Sequence, residues 1–229
     1  MTALPHLGLY RRATAAALVV GPLLFLVDNL LHPKEYPRDH EAQQLARIGE
    51  TYTRWQVAHT IGFFAAMAFA AAVLGLAFLV RRRRPTLGLV AGALGIVGLM
   101  SAAAVFAIDG YTWGVIGHTS THAGVDRHTL VLTLHEVQQS GWSLVYYLPV
   151  LLWIIGMATL GIGAARYAGV PKAAGGLLAL GALMVGIESG VASNVYFITS
   201  SVIWLAGGLA VAAAIARMTD AQFASEDGA

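Results

Sequence analysis

VAHTIGFFAAMAFAAAVLGLAFLVRRRRP, residues 57–85, is the stretch from which the rest of the chain is read. Residues 57–80 contain no acid, lysine or arginine, and Arg81 to Arg84 follow as an unbroken block. An apolar run of that length meets the roughly 20 residues that a bilayer core requires. Lipid offers no partner for backbone N–H and C=O groups, so a crossing segment satisfies them internally, as a helix. The arginine block marks the end that stays in the cytoplasm, where Lys and Arg accumulate.

Working outward, comparable runs lie at 13–32, 86–108, 142–165, 173–193 and 195–216. Together they predict an all-α, polytopic membrane protein, a bundle of six transmembrane helices with both termini inside. Composition agrees: 57% hydrophobic residues, 11% charged residues and a mean hydropathy of +0.68 exclude an ordinary soluble domain. Of fourteen Lys and Arg, nine (Arg11, Arg12, Arg81 to Arg84, Arg166, Lys172 and Arg217) fall on the inner side of this path. The pI near 9.0 therefore reads as a topology signal, and nucleic acid is not an expected partner. The chain has no Cys, which removes disulfide frameworks and thiolate metal sites. The basic-then-apolar N-terminus lacks a small-residue cleavage pattern and is read as a retained first span. Residues 1–218 form a single transmembrane helical domain, and the acidic tail TDAQFASEDGA, 219–229, is expected to be disordered.

Small residues foretell the packing. Gly88, Gly92, Gly95 and Gly98 line span 3, and Gly186 and Gly190 repeat the spacing in span 5, which lets helices approach closely. In the first outer loop Leu45, Ile48, Tyr52 and Trp55 recur at helical spacing after a candidate N-cap, Asp39. They predict an amphipathic helix lying along the outer surface.

Three carboxylates, Asp28, Asp109 and Glu188, lie inside or at the ends of segments that otherwise carry no acid. An ionisable group within hydrocarbon is expensive and is by default a functional candidate. Counted from the inner boundary, Asp28 and Glu188 are each about 15 residues, or roughly 22 Å, along their helices. Asp109 falls at the outer interface, where a plain Asp-Gly turn is the competing reading. His32 lies one turn above Asp28, and His59 opens span 2 one turn after Trp55. A general acid must hold its proton until the reaction needs it, and apolar surroundings favour the neutral carboxyl. The candidate catalytic set is therefore Asp28, Glu188, Asp109, His32 and His59. Trp55, Tyr111, Trp113, Trp142, Tyr146 and Tyr196 gather near the same end as candidate substrate-binding residues, although an interfacial aromatic belt would also place them there.

Seven of the eight histidines fall on the outer side. His118 and His122 have the i, i+4 spacing of paired ligands, though Gly117 and Gly124 argue against a helix around them. His135 and Glu136 sit at an expected helix start without a zinc-hydrolase pattern. No cofactor is predicted. A metal ion held by His118, His122, His59 and Asp109 is the alternative.

The runs GPLLFLVDNLLHP, RWQVAH and RRRRP resemble those of small multi-pass membrane proteins of high-GC Gram-positive bacteria. In size, apolarity and embedded acids the chain is also similar to the integral membrane terpene cyclases. The resemblance implies a bacterial cytoplasmic-membrane protein, and the Lys and Arg asymmetry puts its polar pocket toward the extracytoplasmic side. It also implies a cyclase- or isomerase-type enzyme in which embedded acids protonate a lipophilic, isoprenoid-type substrate and aromatics steady the cation. A metal-dependent enzyme or metal-binding protein, and a non-catalytic binding, sensing or subunit protein, remain the other two readings.

Overall fold

The computed structural model describes residues 6–33, 40–139, 148–188 and 193–224, and among them every regular element is helical. The long helices are α1 (Leu7–Leu31), α3 (Tyr52–Arg81), α4 (Pro85–Ile108), α7 (Val150–Tyr167), α8 (Lys172–Glu188) and α9 (Asn194–Arg217). Between them lie α2 (Glu41–Glu50), a π-helical turn (Asp109–Trp113), α5 (Gly114–Thr119) and α6 (Arg127–Gln139), and α10 (Asp220–Ala224) follows α9. Among the described residues five helices are long and apolar enough to cross a membrane: α1, α3, α4 with its continuation to Thr119, α7 and α9. The sixth apolar helix, α8, has 17 described residues. Residues 142–147 and 189–192, which the sequence reading gave to spans 4 and 5, lie outside the described residues, as do Asp39 and Gly190.

Each long helix packs on its neighbours in the chain, and α9 returns to α1, closing a ring, while α3 also reaches α7 across the middle. Aromatic rings fill that middle. Phe69 stacks on Trp204 at 4.4 Å between centroids, Trp153 lies 5.1 Å from Trp204, and Phe25 meets both indoles edge-on. Both Trp153 and Trp204 are buried, and neither indole N–H has a hydrogen-bond acceptor among the described residues. Glycines set the helix separations. A Cβ at Gly98 would overlap the backbone of Trp153 on α7, and one at Gly156 would stand 2.7 Å from the Ala91 carbonyl oxygen of α4. Gly88, Gly92, Gly95 and Gly186 are each similarly close to a neighbour. Pro22 lies inside α1 and has no N–H for the Leu18 carbonyl one turn back. Gly208 of α9 comes against that same carbonyl, where a Cβ would overlap it.

The end carrying Asp28 is capped. In α2, Leu45 and Ile48 are each 2% exposed and pack with Trp55, Trp113 and Leu134 of α6. The amphipathic helix therefore covers the bundle, but its stripe is divided between two elements. Tyr52 and Trp55 belong to α3, because α2 ends at Glu50 and Thr51 alone separates the two helices. His135 lies late in α6, not at its start, and its Nδ1 is 2.8 Å from Glu41 Oε1 of α2. Asp126 begins α6: its carboxylate accepts from the Thr129 hydroxyl at 2.6 Å and the His128 N–H at 3.0 Å. Those bonds, chiefly from Thr129, hold its carboxyl below the usual Asp range.

At the other end, the segment expected to be a disordered tail includes a helix. Thr219 and Gln222 form a reciprocal cap: the Thr219 N–H donates to Gln222 Oε1 at 2.8 Å and the Gln222 N–H to Thr219 Oγ1 at 3.2 Å. Phe223 is fully buried, stacked on Phe78 and edge-on to Tyr10. The overlooked signal is the TDAQ capping box followed by one large apolar residue. Residues 225–229 lie outside the described residues.

Candidate functional site

Asp28, Asn29, His32 and His59 are all buried, Asp28 to 2% exposure, and they gather at the capped end on α1 and α3. Asp28 and Asn29 are in the last turn of α1, and the Asp28 carbonyl accepts the His32 N–H at 2.7 Å, which ends the helix. Arg54 of α3 reaches the last carbonyls of α1, donating to Leu31 O and, at 3.3 Å, to Leu30 O. A cation there complements the helix C-terminus. On the far side of α1, Asn29 Nδ2 donates to Ser201 Oγ of α9 at 2.8 Å, and Ser201 Oγ donates to the Phe197 carbonyl at 2.8 Å. These bonds fix the face of α1 that carries Asp28.

His32, Trp55 and His59 form a triangle of rings, with centroids 4.9 Å apart for His32–His59, 4.9 Å for His32–Trp55 and 4.4 Å for Trp55–His59. The tautomers follow from the partners. His59 Nδ1 lies 2.9 Å from the Trp55 carbonyl, and His32 Nδ1 lies 3.0 Å from the Pro33 carbonyl. A carbonyl oxygen only accepts, so each Nδ1 carries hydrogen and each neutral ring keeps its lone pair on Nε2. Nε2 is then the nitrogen able to take a proton or bind a metal.

The third wall is the π-helical turn. The Asp-Gly pair does not break span 3. The helix widens over Asp109–Trp113 and runs on into α5, a distortion that recurs at functional sites. A Cβ at Gly110 would stand 2.6 Å from His59 Cβ, so glycine is what admits the turn to the histidine. Asp109 holds two indoles: its carbonyl accepts from Trp55 Nε1 and its Oδ1 from Trp113 Nε1, each at 2.8 Å. Its carboxylate thus orients tryptophans. Below, Phe106 is edge-on to both His59 and Phe25, so the aromatic centre of the bundle begins directly under the histidines.

Of the candidate residues, Asp28, His32, His59, Trp55, Asp109 and Trp113 come together. Tyr111 is 72% exposed and points away from the cluster. Tyr196 is tied to α8 through a 3.0 Å bond from its hydroxyl to the Met184 carbonyl. Glu188 ends α8, but its carboxyl, like Trp142 and Tyr146, lies outside the described residues. His118 stacks on Tyr52 at 4.5 Å and meets His122 at 5.0 Å on the exposed surface, with His118 inside α5 despite Gly117 and His122 beyond its end. Among the described residues no three His, Asp or Glu side chains converge to hold an ion. The set His118, His122, His59 and Asp109 is split between the surface and the buried cluster. The sequence reading missed Asn29, Arg54, Phe106 and Ser201. A second polar residue beside Asp28 and the Ser200–Ser201 pair in an apolar span were the signals available for two of them.

No protein-family model, curated protein or solved structure matches the chain.

Proposed function

We propose that the chain is a six-span, N-in/C-in bundle of a bacterial cytoplasmic membrane that acts as an acid–base enzyme on a lipophilic, isoprenoid-type substrate. On this reading the polar pocket faces the extracytoplasmic side. What carries the proposal is the joint burial of one carboxylic acid, Asp28, with two imidazoles whose tautomers leave Nε2 basic, over an aromatic floor. Asp28 is assigned as proton donor, and His32 or His59 as the base that accepts a proton from the rearranged substrate. Phe106 and Trp55 supply π-faces to positive charge developing on a hydrocarbon. Neither step requires a cofactor, and the substrate reaches the site from the lipid in which it dissolves.

The test is product formation from a panel of polyprenyl substrates by the purified protein, with and without chelator. Asp28→Asn keeps shape and removes the titratable proton, so turnover is expected to fall by about 10² to 10⁴. His59→Ala is expected to act in the same direction, and Glu188→Gln reports on the second embedded acid. Loss of activity with chelator, or in His118→Ala and His122→Ala, would favour the metal-dependent reading. Full activity of Asp28→Asn would end the acid–base assignment.

A further inference from the structure

The basic end of the bundle is covered by α10, and the way it is covered is incomplete. Arg11 Nε pairs with Asp220 Oδ1 at 3.0 Å, while Arg11 Nη1 donates to the Ala216 carbonyl at 2.8 Å. Arg82 donates to the Ala224 carbonyl at 2.8 Å through Nε, and Arg83 Nη2 donates to the Gln222 carbonyl at 3.2 Å. These bonds place acid at the N-terminal end of α10 and guanidinium at its C-terminal end, which suits the helix dipole. Apart from the Arg11–Asp220 pair, the bonds just described run from cations to neutral carbonyls, weaker than those to an anion. Arg83 is the exception among its neighbours. Its Nε and Nη1 are out of contact with solvent beneath the cover and have no acceptor among the described residues. Burial, and next the adjacent Arg82, hold its guanidinium below the ordinary arginine range. A buried donor on a charged group left without an acceptor is costly, so among the described residues the cover offers Arg83 no anion.

We propose that Arg83, with the arginine block around it, is a binding site for a phosphate group, and that α10 is a displaceable cover over it, so that phosphate binding and docking of the C-terminal helix exclude each other. A phosphate supplies several charged acceptors where the cover supplies one carbonyl. The anionic headgroup of a membrane phospholipid is the source at hand, since a basic block next to a membrane span lies at headgroup level. Free phosphate shares the chemistry. The release is cheap on the helix side, because a five-residue helix does not hold its shape once undocked.

The full-length protein in nanodiscs of phosphatidylcholine alone, or mixed with phosphatidylglycerol, separates the outcomes. Trypsin cleavage after Arg217 reads release of the cover, and native mass spectrometry reads bound phosphatidylglycerol. Phosphatidylglycerol is expected to accelerate cleavage of the wild type. Arg83→Gln is expected to lower bound phosphatidylglycerol by about fivefold, one arginine's share at an anionic surface, while Arg166→Gln leaves it unchanged. Asp220→Asn and a chain ending at Met218 are expected to bind more phosphatidylglycerol than wild type. The truncated chain also tests the site should Arg83→Gln fail to fold, because it keeps every spanning helix. Acceleration by inorganic phosphate in phosphatidylcholine nanodiscs would assign the free ion as ligand. Equal phosphatidylglycerol binding by wild type, Arg83→Gln and the truncated chain, or cleavage indifferent to both phosphates, overturns the proposal.

Discussion

Asp109 carries two indole partners that the sequence pattern around it does not reveal. It was nominated as an acid because a carboxylate stood at the end of an apolar run, yet it accepts one indole N–H on its carbonyl and another on its carboxylate. Those two bonds hold Trp55 against both histidines and Trp113 in the cap. The distinction is measurable without any substrate. Asn retains an oxygen acceptor for Trp113, so Asp109→Asn is expected to unfold within about 0.5 kcal/mol of wild type. Asp109→Ala leaves the buried indole N–H without an acceptor and is expected to lose about 1–3 kcal/mol. Thermal unfolding in one detergent compares the three proteins. Equal losses in both variants would mean that the charge itself, and not the oxygen, is what the site needs. Asp28 is different in kind: its nomination came from depth in the apolar run, and it is buried with Asn29 of the same turn, His32 at the end of the helix and His59 of another helix. Only Asn29 and His32 share an element with it, and only these were within reach of local pattern.

At the scale of elements, the long apolar runs were legible because lipid imposes one solution on them, a helix of sufficient length. Their ends were not. The predicted start of span 2 at 57 became Tyr52, since the stripe Leu45–Ile48–Tyr52–Trp55 has one period but is carried by two helices joined at Thr51. Span 3 continued past Asp109 because a π turn absorbs the Asp-Gly pair, a choice that His59 and Trp55 impose from outside the segment. The glycine spacing foretold close approach but not which partner each glycine meets. Gly208 meets the Leu18 carbonyl beside Pro22, whereas a Cβ at Gly176 of α8 would have nothing within 4 Å among the described residues. The two therefore predict opposite signs for the same substitution. Gly208→Ala is expected to destabilise by about 1–3 kcal/mol through overpacking of α1 on α9. Gly176→Ala is expected to be neutral or to stabilise by about 0.5–1 kcal/mol, because alanine loses less backbone freedom in a helix. The melting temperatures of the two variants, measured side by side, decide it, and a loss of the same size at Gly176 would remove the packing explanation.

The whole molecule is polarised, and its two ends differ in the side chains they gather. One end gathers the buried Asp28, Asn29, His32 and His59 under a lid of α2, α5 and α6, and the other gathers Arg11, Arg82 and Arg83 around α10. A ring of helices that each pack on their chain neighbours can alternate direction only if the short connectors alternate sides, which places Arg81 to Arg84, Arg166 and Lys172 together. The tendency of Lys and Arg to remain in the cytoplasm then predicts which way the ring is oriented. The absence of cysteine makes the orientation easy to measure, since any cysteine introduced is the only one present. His122→Cys, on the exposed surface of the lid, is expected to react with a membrane-impermeant maleimide on intact cells. Lys172→Cys, at the basic end, is expected to react only after the membrane is opened. Both residues are exposed, so a failure to label reports sidedness and not burial. The reverse pattern would turn the molecule over. The acid–histidine site would then face the cytoplasm, and the arginine site would face a leaflet and a solution where the proposed phosphate ligands would have to be sought anew.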